Sequence, residues 1–198
     1  KLSIKKGINV LTEYWTYKLS KKIKKKYGKF DIIFSANTIT HIQNLNEVFK
    51  AINNVLSQDG ILIIQDPSLL ELIKNNAYDQ FYNEHIYLFS AISVKILLKE
   101  FNLEIFDINN LETHGGSLRY YIKRKINKGI KISSNVKKQI QKELKYGLDK
   151  YSTYKNFSKQ VKDSKKFLLK ILKKLKRNNA KVIGYGATAK ATTILNYC

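Results

Sequence analysis

Two short apolar runs set the limits on this fold. Phe30-Asp31-Ile32-Ile33-Phe34 and Ile61-Leu62-Ile63-Ile64 each have a strand's length, and each is bounded by residues that turn or stop a chain. Such runs read as buried parallel strands. Between them Leu45, Val48, Phe49, Ile52, Val55 and Leu56 recur at helical spacing; Asn44 or Asn46 can cap the start, and Asp59-Gly60 is expected to close the end. Strand, helix and strand with short joints make a βαβ unit, whose crossover is expected to be right-handed. The expected fold class is α/β, with parallel strands and helices on both faces.

The alternation continues on either side. Leu11, Trp15, Leu19 and Ile23 form one stripe of a helix expected over 11–27, with Lys18, Lys21, Lys22, Lys25 and Lys26 on its other face and Gly28 at its end. Asp66-Pro67 stops the second strand, and Leu69, Leu70 and Ile73 mark the next helix. Ser90 caps another, through Ile92, Ile96, Leu97 and Phe101. Leu103 to Ile108 and Leu118 to Lys123 read as two further strands. The joint Glu112–Ser117 can form a hairpin, which would make the last strand antiparallel. After a basic connector at 125–135, apolar residues from Val136 to Leu175 recur at helical spacing, with a break at Gly147 or within Tyr151–Phe157. Lys181 to Lys190 turns from strand to helix.

Composition narrows the function classes. A chain of 198 residues, 43% hydrophobic, has one or two domains and a packed interior. The single Cys198 excludes an internal disulfide and a multi-cysteine zinc site within this chain. No apolar run is long enough to cross a bilayer and no signal-peptide pattern is present, so no membrane partner and a cytoplasmic location are expected. The formal charge of +22 suggests nucleic acid, yet only Arg119, Arg124 and Arg177 among the 37 basic residues carry the bidentate fork that reads bases. The lysines are spread over nearly every expected helix, so no nucleic-acid partner is expected. The charge can still speed capture of a phosphate-bearing substrate. The chain has no Met, begins at Lys1 and stops at Cys198 in mid-pattern, and it is expected to be a fragment of something longer.

The densest chemistry lies in residues 81–90, Phe-Tyr-Asn-Glu-His-Ile-Tyr-Leu-Phe-Ser. His85 is the natural candidate for a general base, because imidazole titrates near neutral pH. Glu84 can orient or polarise it, and Tyr82 can donate to developing negative charge. Asn37 and His41 follow the first strand, at the carboxyl edge where α/β sheets bind ligands. His114-Gly115-Gly116-Ser117-x-Arg119 combines a turn, backbone donors and a cation, a set that suits an anionic or sugar-like ligand and equally an ordinary hairpin. Gly184-x-Gly186-x-x-Ala189 fits a dinucleotide fingerprint and equally an unliganded βα turn.

Together the segments FDIIFSANTITH (30–41), DGILIIQDP (59–67), YNEHIYLFS (82–90), THGGSLRY (113–120) and GYGATAKATTILNYC (184–198) resemble one family. It comprises the S-adenosylmethionine-dependent sugar C-methyltransferases acting on nucleotide-linked keto-deoxysugars. The resemblance implies a partial class I methyltransferase sheet, Rossmann-like with one antiparallel strand, followed by helices and the start of a second Rossmann-like unit. The implied boundaries are 1–125 for the second half of the methyltransferase domain, 126–178 for a helical connector and 179–198 for the start of the next unit. The cofactor implied is S-adenosylmethionine, its main binding loop upstream of this chain; zinc belongs to an N-terminal module, also upstream. Gly184 and Gly186 then belong to the third domain's turn and not to the methyl donor's site.

By the same resemblance His85 removes the proton beside the sugar's keto group, supported by Tyr82 and Glu84, with His41 facing the substrate. Ala36 and Asn37 lie by the cofactor, and His114, Gly115, Gly116, Ser117 and Arg119 by the substrate, a nucleotide-linked keto-sugar. The sulfonium already activates the methyl group, so the chemistry asks for no metal. The family often has Tyr where Leu88 stands, so Tyr87 inherits no role, and often Gly where Ala191 stands. Weighed against this reading are a related methyltransferase with another acceptor, and a nucleotide-binding module at 184–190 without catalysis.

Overall fold

The structure is a computed structural model describing residues 2–186 and 188–198; Ala187, inside the glycine fingerprint, lies outside the described residues. A short helix α1 (Leu2–Lys5) precedes α2 (Tyr17–Tyr27). The stripe from Leu11 is helical only from Tyr17 onward. Thr16 takes extended backbone and its hydroxyl accepts the Leu19 N–H at 3.1 Å, which starts the helix there. Trp15 is thereby left to donate its indole N–H to the Val48 carbonyl at 3.3 Å.

Next come β1 (Phe30–Ala36), α3 (Leu45–Val55) and β2 (Leu56–Pro67). Asn44 caps α3, accepting the Glu47 N–H at 3.0 Å. The helix stops at Val55, short of Asp59-Gly60, because Leu56 already pairs with Phe30 in the sheet. Ile32 next pairs with Ile61, so residues 57–60 loop out within the strand. Gly60 makes that loop fit. A Cβ there would lie 2.8 Å from Leu56 Cδ1 and 2.9 Å from the Phe30 carbonyl oxygen.

The chain continues through α4 (Leu69–Lys74), a 3₁₀ turn at Tyr78–Gln80, α5 (Ala91–Lys99), β3 (Leu103–Leu111) and β4 (Ser117–Arg124). The four strands form one sheet in the order β1-β2-β4-β3. β1 and β2 are parallel, and β4 runs antiparallel to both its neighbours, as the hairpin reading anticipates. One apolar cluster joins Leu62 and Ile64 of β2 to Leu118, Tyr120 and Ile122 of β4, and receives Phe49 of α3 and Leu98 of α5. The described helices cover that face alone. On the other face Ile32 and Phe34 are 66% and 59% exposed, so the expectation of helices on both faces is not met among the described residues.

The connector forms α6 (Ser134–Tyr146) and α7 (Tyr151–Arg177), separated at Gly147, whose φ of 87° ends α6 in the left-handed conformation. Glu143 of α6 is fully buried. Its carboxylate accepts the Ala91 and Ile92 N–H groups at 2.8 and 3.0 Å and the Gln139 side-chain amide at 3.0 Å, anchoring the start of α5. Residues 181–186 form no strand, since no described segment runs alongside to exchange hydrogen bonds; α8 (Ala189–Tyr197) comes after them. No described helix is long and apolar enough to cross a membrane.

Gly60→Ala is expected to destabilise the fold by about 1–3 kcal/mol, because the methyl must displace backbone at the β1–β2 junction. Denaturant unfolding of the variant against wild type checks this.

Candidate active site

The carboxyl ends of β1 and β2 and the first residue of β4 lie on one rim of the sheet, where Pro67 pairs with Ser117 and the Asn37 N–H reaches the Gln65 carbonyl at 2.8 Å. Asn37, left-handed at φ 50°, redirects the chain into a 3₁₀ turn at Ile39–His41. Thr40, at the centre of that turn, is fully buried. Its carbonyl accepts the Ile86 and Tyr87 N–H groups at 3.0 and 3.2 Å, drawing the 81–90 segment onto the rim.

The two histidines consequently face each other, with ring centroids 5.0 Å apart. The hydrogen bonds assign their protons. His41 Nδ1 lies 2.8 Å from the Glu84 carbonyl and His85 Nδ1 lies 2.9 Å from the Gln80 carbonyl. A carbonyl only accepts, so both Nδ1 atoms carry hydrogen. Burial, the chief cause, lowers the His85 pKa; the nearby charges of His41 and Lys190 add to this, while the Gln80 bond and Glu84 work the other way. The neutral ring then presents a lone pair on Nε2, to which the Tyr82 hydroxyl donates at 2.6 Å. Burial first, and the Glu84 charge second, raise the Tyr82 pKa, which keeps the phenol protonated.

Beneath this pair, Thr40 Oγ1 donates to Asp66 Oδ1 at 3.4 Å. Asp66 is 1% exposed, and burial pushes its carboxyl up to about 7, with the Thr40 bond pulling the other way. Asp66 Oδ2 and the Tyr120 hydroxyl are buried without hydrogen-bond partners among the described residues. Tyr120 is driven well above the ordinary phenol range by burial and by the charges of Glu143 and Asp66.

The 113–117 turn closes the rim. Ser68 N–H donates to the Gly116 carbonyl at 3.0 Å, and the Gln80 side-chain amide to the His114 carbonyl at 3.1 Å. At φ 122° Gly116 needs to be glycine, for a Cβ would lie 2.6 Å from that of Glu71. Arg119 spends Nε and Nη2 on Gln65 Oε1, at 3.1 and 2.7 Å.

The structure thus brings His85, Tyr82 and His41 together. The main chain of His114 joins them through Gln80, and Ala36 and Asn37 stand on the same rim. Glu84 is exposed and meets the cluster through its carbonyl; among the described residues its carboxylate makes no hydrogen bond to His85. Arg119 is held by Gln65 and not by the histidines. Sequence reading passed over Gln80, Thr40 and Gln65, whose polar side chains and carbonyls carry no spacing signal. Asp66 was visible only as a strand stop, although a carboxylate directly after four apolar residues and Gln65 is itself a hint. From the far end of the chain, α8 lands on the 78–81 turn, with Thr193 Oγ1 donating to the Phe81 carbonyl at 3.0 Å and the Tyr197 ring 5.8 Å from that of Tyr78.

Comparison with known proteins divides the chain in two. A family model described as a methyltransferase domain matches residues 6–108, and one described as a C-methyltransferase C-terminal domain matches 112–198. C-methyltransferase NovU of Streptomyces niveus is 23% identical over 193 residues, covering 98% of this chain and 46% of the relative. The chain therefore spans about half the length of the curated relative it matches. Among solved structures, an S-adenosylmethionine-dependent methyltransferase from Clostridium acetobutylicum aligns at 17% identity with TM-score 0.38, covering 48% of this chain and 58% of the other. Another, from Anabaena variabilis, aligns at 13% identity with TM-score 0.44, covering 62% and 63%.

The buried carboxyl generates a pH test. Its folded value of about 7 lies above the ordinary 3.8, so the folded state holds a proton that the unfolded chain gives up. That contribution is complete below the unfolded value and is lost as the pH rises to about 7. Between about pH 5 and pH 8, wild type is expected to lose about 3 kcal/mol relative to Asp66→Asn. Thermal melts of both proteins at the two pH values measure it, and parallel behaviour would remove Asp66 as the cause.

Proposed function

The chain belongs to the methyltransferase domain family, and from that premise we propose that it serves transfer of a methyl group from S-adenosylmethionine to a carbon of a nucleotide-linked keto-sugar. The observation that carries this reading is the neutral His85, held by Gln80 and bonded to Tyr82, facing His41 on the ligand-binding rim. Carbon methylation requires a base that can take a weakly acidic C–H proton beside a carbonyl. A half-buried imidazole with its Nε2 lone pair directed at a phenol suits that task.

In this mechanism the keto-sugar enters beside Tyr82. The Tyr82 hydroxyl turns from Nε2 to the keto oxygen, where it stabilises the enolate as charge develops. The same movement frees Nε2, which takes the proton. The Gln80 carbonyl holds the resulting imidazolium in place through Nδ1–H. His41, its Nδ1 fixed by Glu84, offers Nε2 to the sugar. Ala36 and Asn37 fit one side of the methyl donor, since a small side chain and an exposed amide leave room at the end of β1. When bound, S-adenosylmethionine supplies an electrophilic methyl on a sulfonium. Support for a carbon acceptor comes from the C-terminal family match and from the name of the Streptomyces niveus relative.

In the full-length protein, His85→Ala is expected to lower turnover by about 10²–10⁴-fold while S-adenosylmethionine affinity, measured by titration calorimetry, stays near wild type. The same variant should lose solvent deuterium exchange at the carbon beside the keto group, measured without the methyl donor. Undiminished turnover removes His85 from the mechanism. Since burial lowers the His85 pKa, the acidic limb of the kcat/KM profile should lie below the ordinary imidazole value.

A further inference from the structure

Gln80 is buried, and it is bonded at both ends. Its main-chain carbonyl accepts the His85 Nδ1–H at 2.9 Å, while its side-chain amide donates to the His114 carbonyl at 3.1 Å. We propose that Gln80 is a positioning residue for the base: its side chain pins its own peptide to the 113–117 turn, and that peptide decides which His85 nitrogen carries the proton. The proposal rests on the reading of His85 as the base, and it adds a residue to which neither the family resemblance nor the site's residue types assign a role.

The geometry explains why a side chain is needed. The carbonyl belongs to a peptide at the end of a single 3₁₀ turn, where Phe81 leaves helical geometry at φ −85° and ψ 85°. One local bond holds that peptide, the Phe81 N–H donating to the Tyr78 carbonyl at 3.1 Å, and beyond Phe81 the turn does not continue. Two tethers from distant chain segments add to it: the Gln80 amide on His114 anchors the residue that owns the carbonyl, and the Thr193 hydroxyl on the Phe81 carbonyl holds the next peptide. The acceptor at His114 is itself fixed, because that residue is left-handed at φ 57° inside a turn stitched to Ser68 through Gly116. Glutamine has both the reach and the donor. Glutamate has the reach without the donor, and asparagine the donor with one methylene less.

The consequence is protonic. With a carbonyl opposite Nδ1, the neutral ring places its hydrogen there and leaves Nε2 as the acceptor. Once the side-chain tether is lost and that carbonyl can tilt away from Nδ1, the alternative tautomer, with hydrogen on Nε2, becomes populated. Such a ring cannot take a proton from the substrate through Nε2. The turn that is the candidate for holding the sugar and the atom that takes its proton are thus coupled through one amide.

The test uses the full-length protein with ¹⁵N-labelled histidine, the His85 signals being assigned by their loss in His85→Ala. In wild type, Nε2 should resonate as an unprotonated and Nδ1 as a protonated ring nitrogen. Gln80→Met and Gln80→Glu keep the buried length and remove the donor. Each is expected to shift His85 to a mixture of tautomers and to lower kcat by about 10²-fold, with S-adenosylmethionine affinity unchanged. Wild-type protein carrying its proton on Nε2 overturns the proposal without any variant. So does a variant that loses turnover with the tautomer intact, or one that changes tautomer at full turnover. If wild type methylates no keto-sugar, the functional reading fails, and the tautomer comparison still judges the role of Gln80.

Discussion

One buried carbonyl decides whether this site exists. The Thr40 oxygen accepts two consecutive amides, those of Ile86 and Tyr87, and the His41 bond to the Glu84 carbonyl adds to the same attachment of the histidine segment at the end of β1. Two N–H groups on one oxygen fix the direction of the backbone as well as its distance. That is why the two imidazoles come to lie 5.0 Å apart although they sit on separate loops. The hydroxyl of the same residue reaches Asp66 on β2, so the turn is also bolted to the sheet. A site built on loops gains its precision from the scaffold beneath it, and here Thr40 ties the loop to the scaffold with both its main chain and its side chain.

The regular elements were legible because their causes are local. Apolar runs gave β1 and β2, Asn44 and Ser90 announced α3 and α5, and Gly147 marked the break between α6 and α7. The errors have equally local causes. Thr16 starts α2 later than the apolar stripe suggests, and pairing of Leu56 with Phe30 takes over residues assigned to a helix end. At the site, the residue types of Tyr82, His85 and His41 sufficed to nominate them. What escaped is everything that acts across the fold. Gln80 meets His114, Glu143 meets Ala91, and Thr193 meets Phe81, contacts between residues far apart in the chain that leave no period and no spacing. Glu84 shows the reverse case, an acidic neighbour whose proximity in sequence does not become a side-chain bond in space.

The basic charge looks different once the fold is known. Most lysines of α2, α6 and α7 are exposed, as expected of groups that water solvates well. Lys123 is the exception at 2% exposure, and there Glu104 at 2.9 Å and the Asn127 carbonyl receive its ammonium. The charge thus sits around the molecule and not in a stripe aimed at the histidines, which suits long-range attraction of an anion better than a contact surface for one.

The carboxylate of Glu143 carries a lesson about where the chain can be divided. A cut just after β4 would look harmless on paper, since the sheet is complete by Arg124. It would nevertheless leave the first amides of α5 facing a hollow once filled by α6, directly downstream of the histidine segment. A piece that keeps the start of α5 satisfied therefore includes α6 with Glu143. The helix after the sheet is thus part of what holds the fold around the candidate site, and not merely a bridge towards α8.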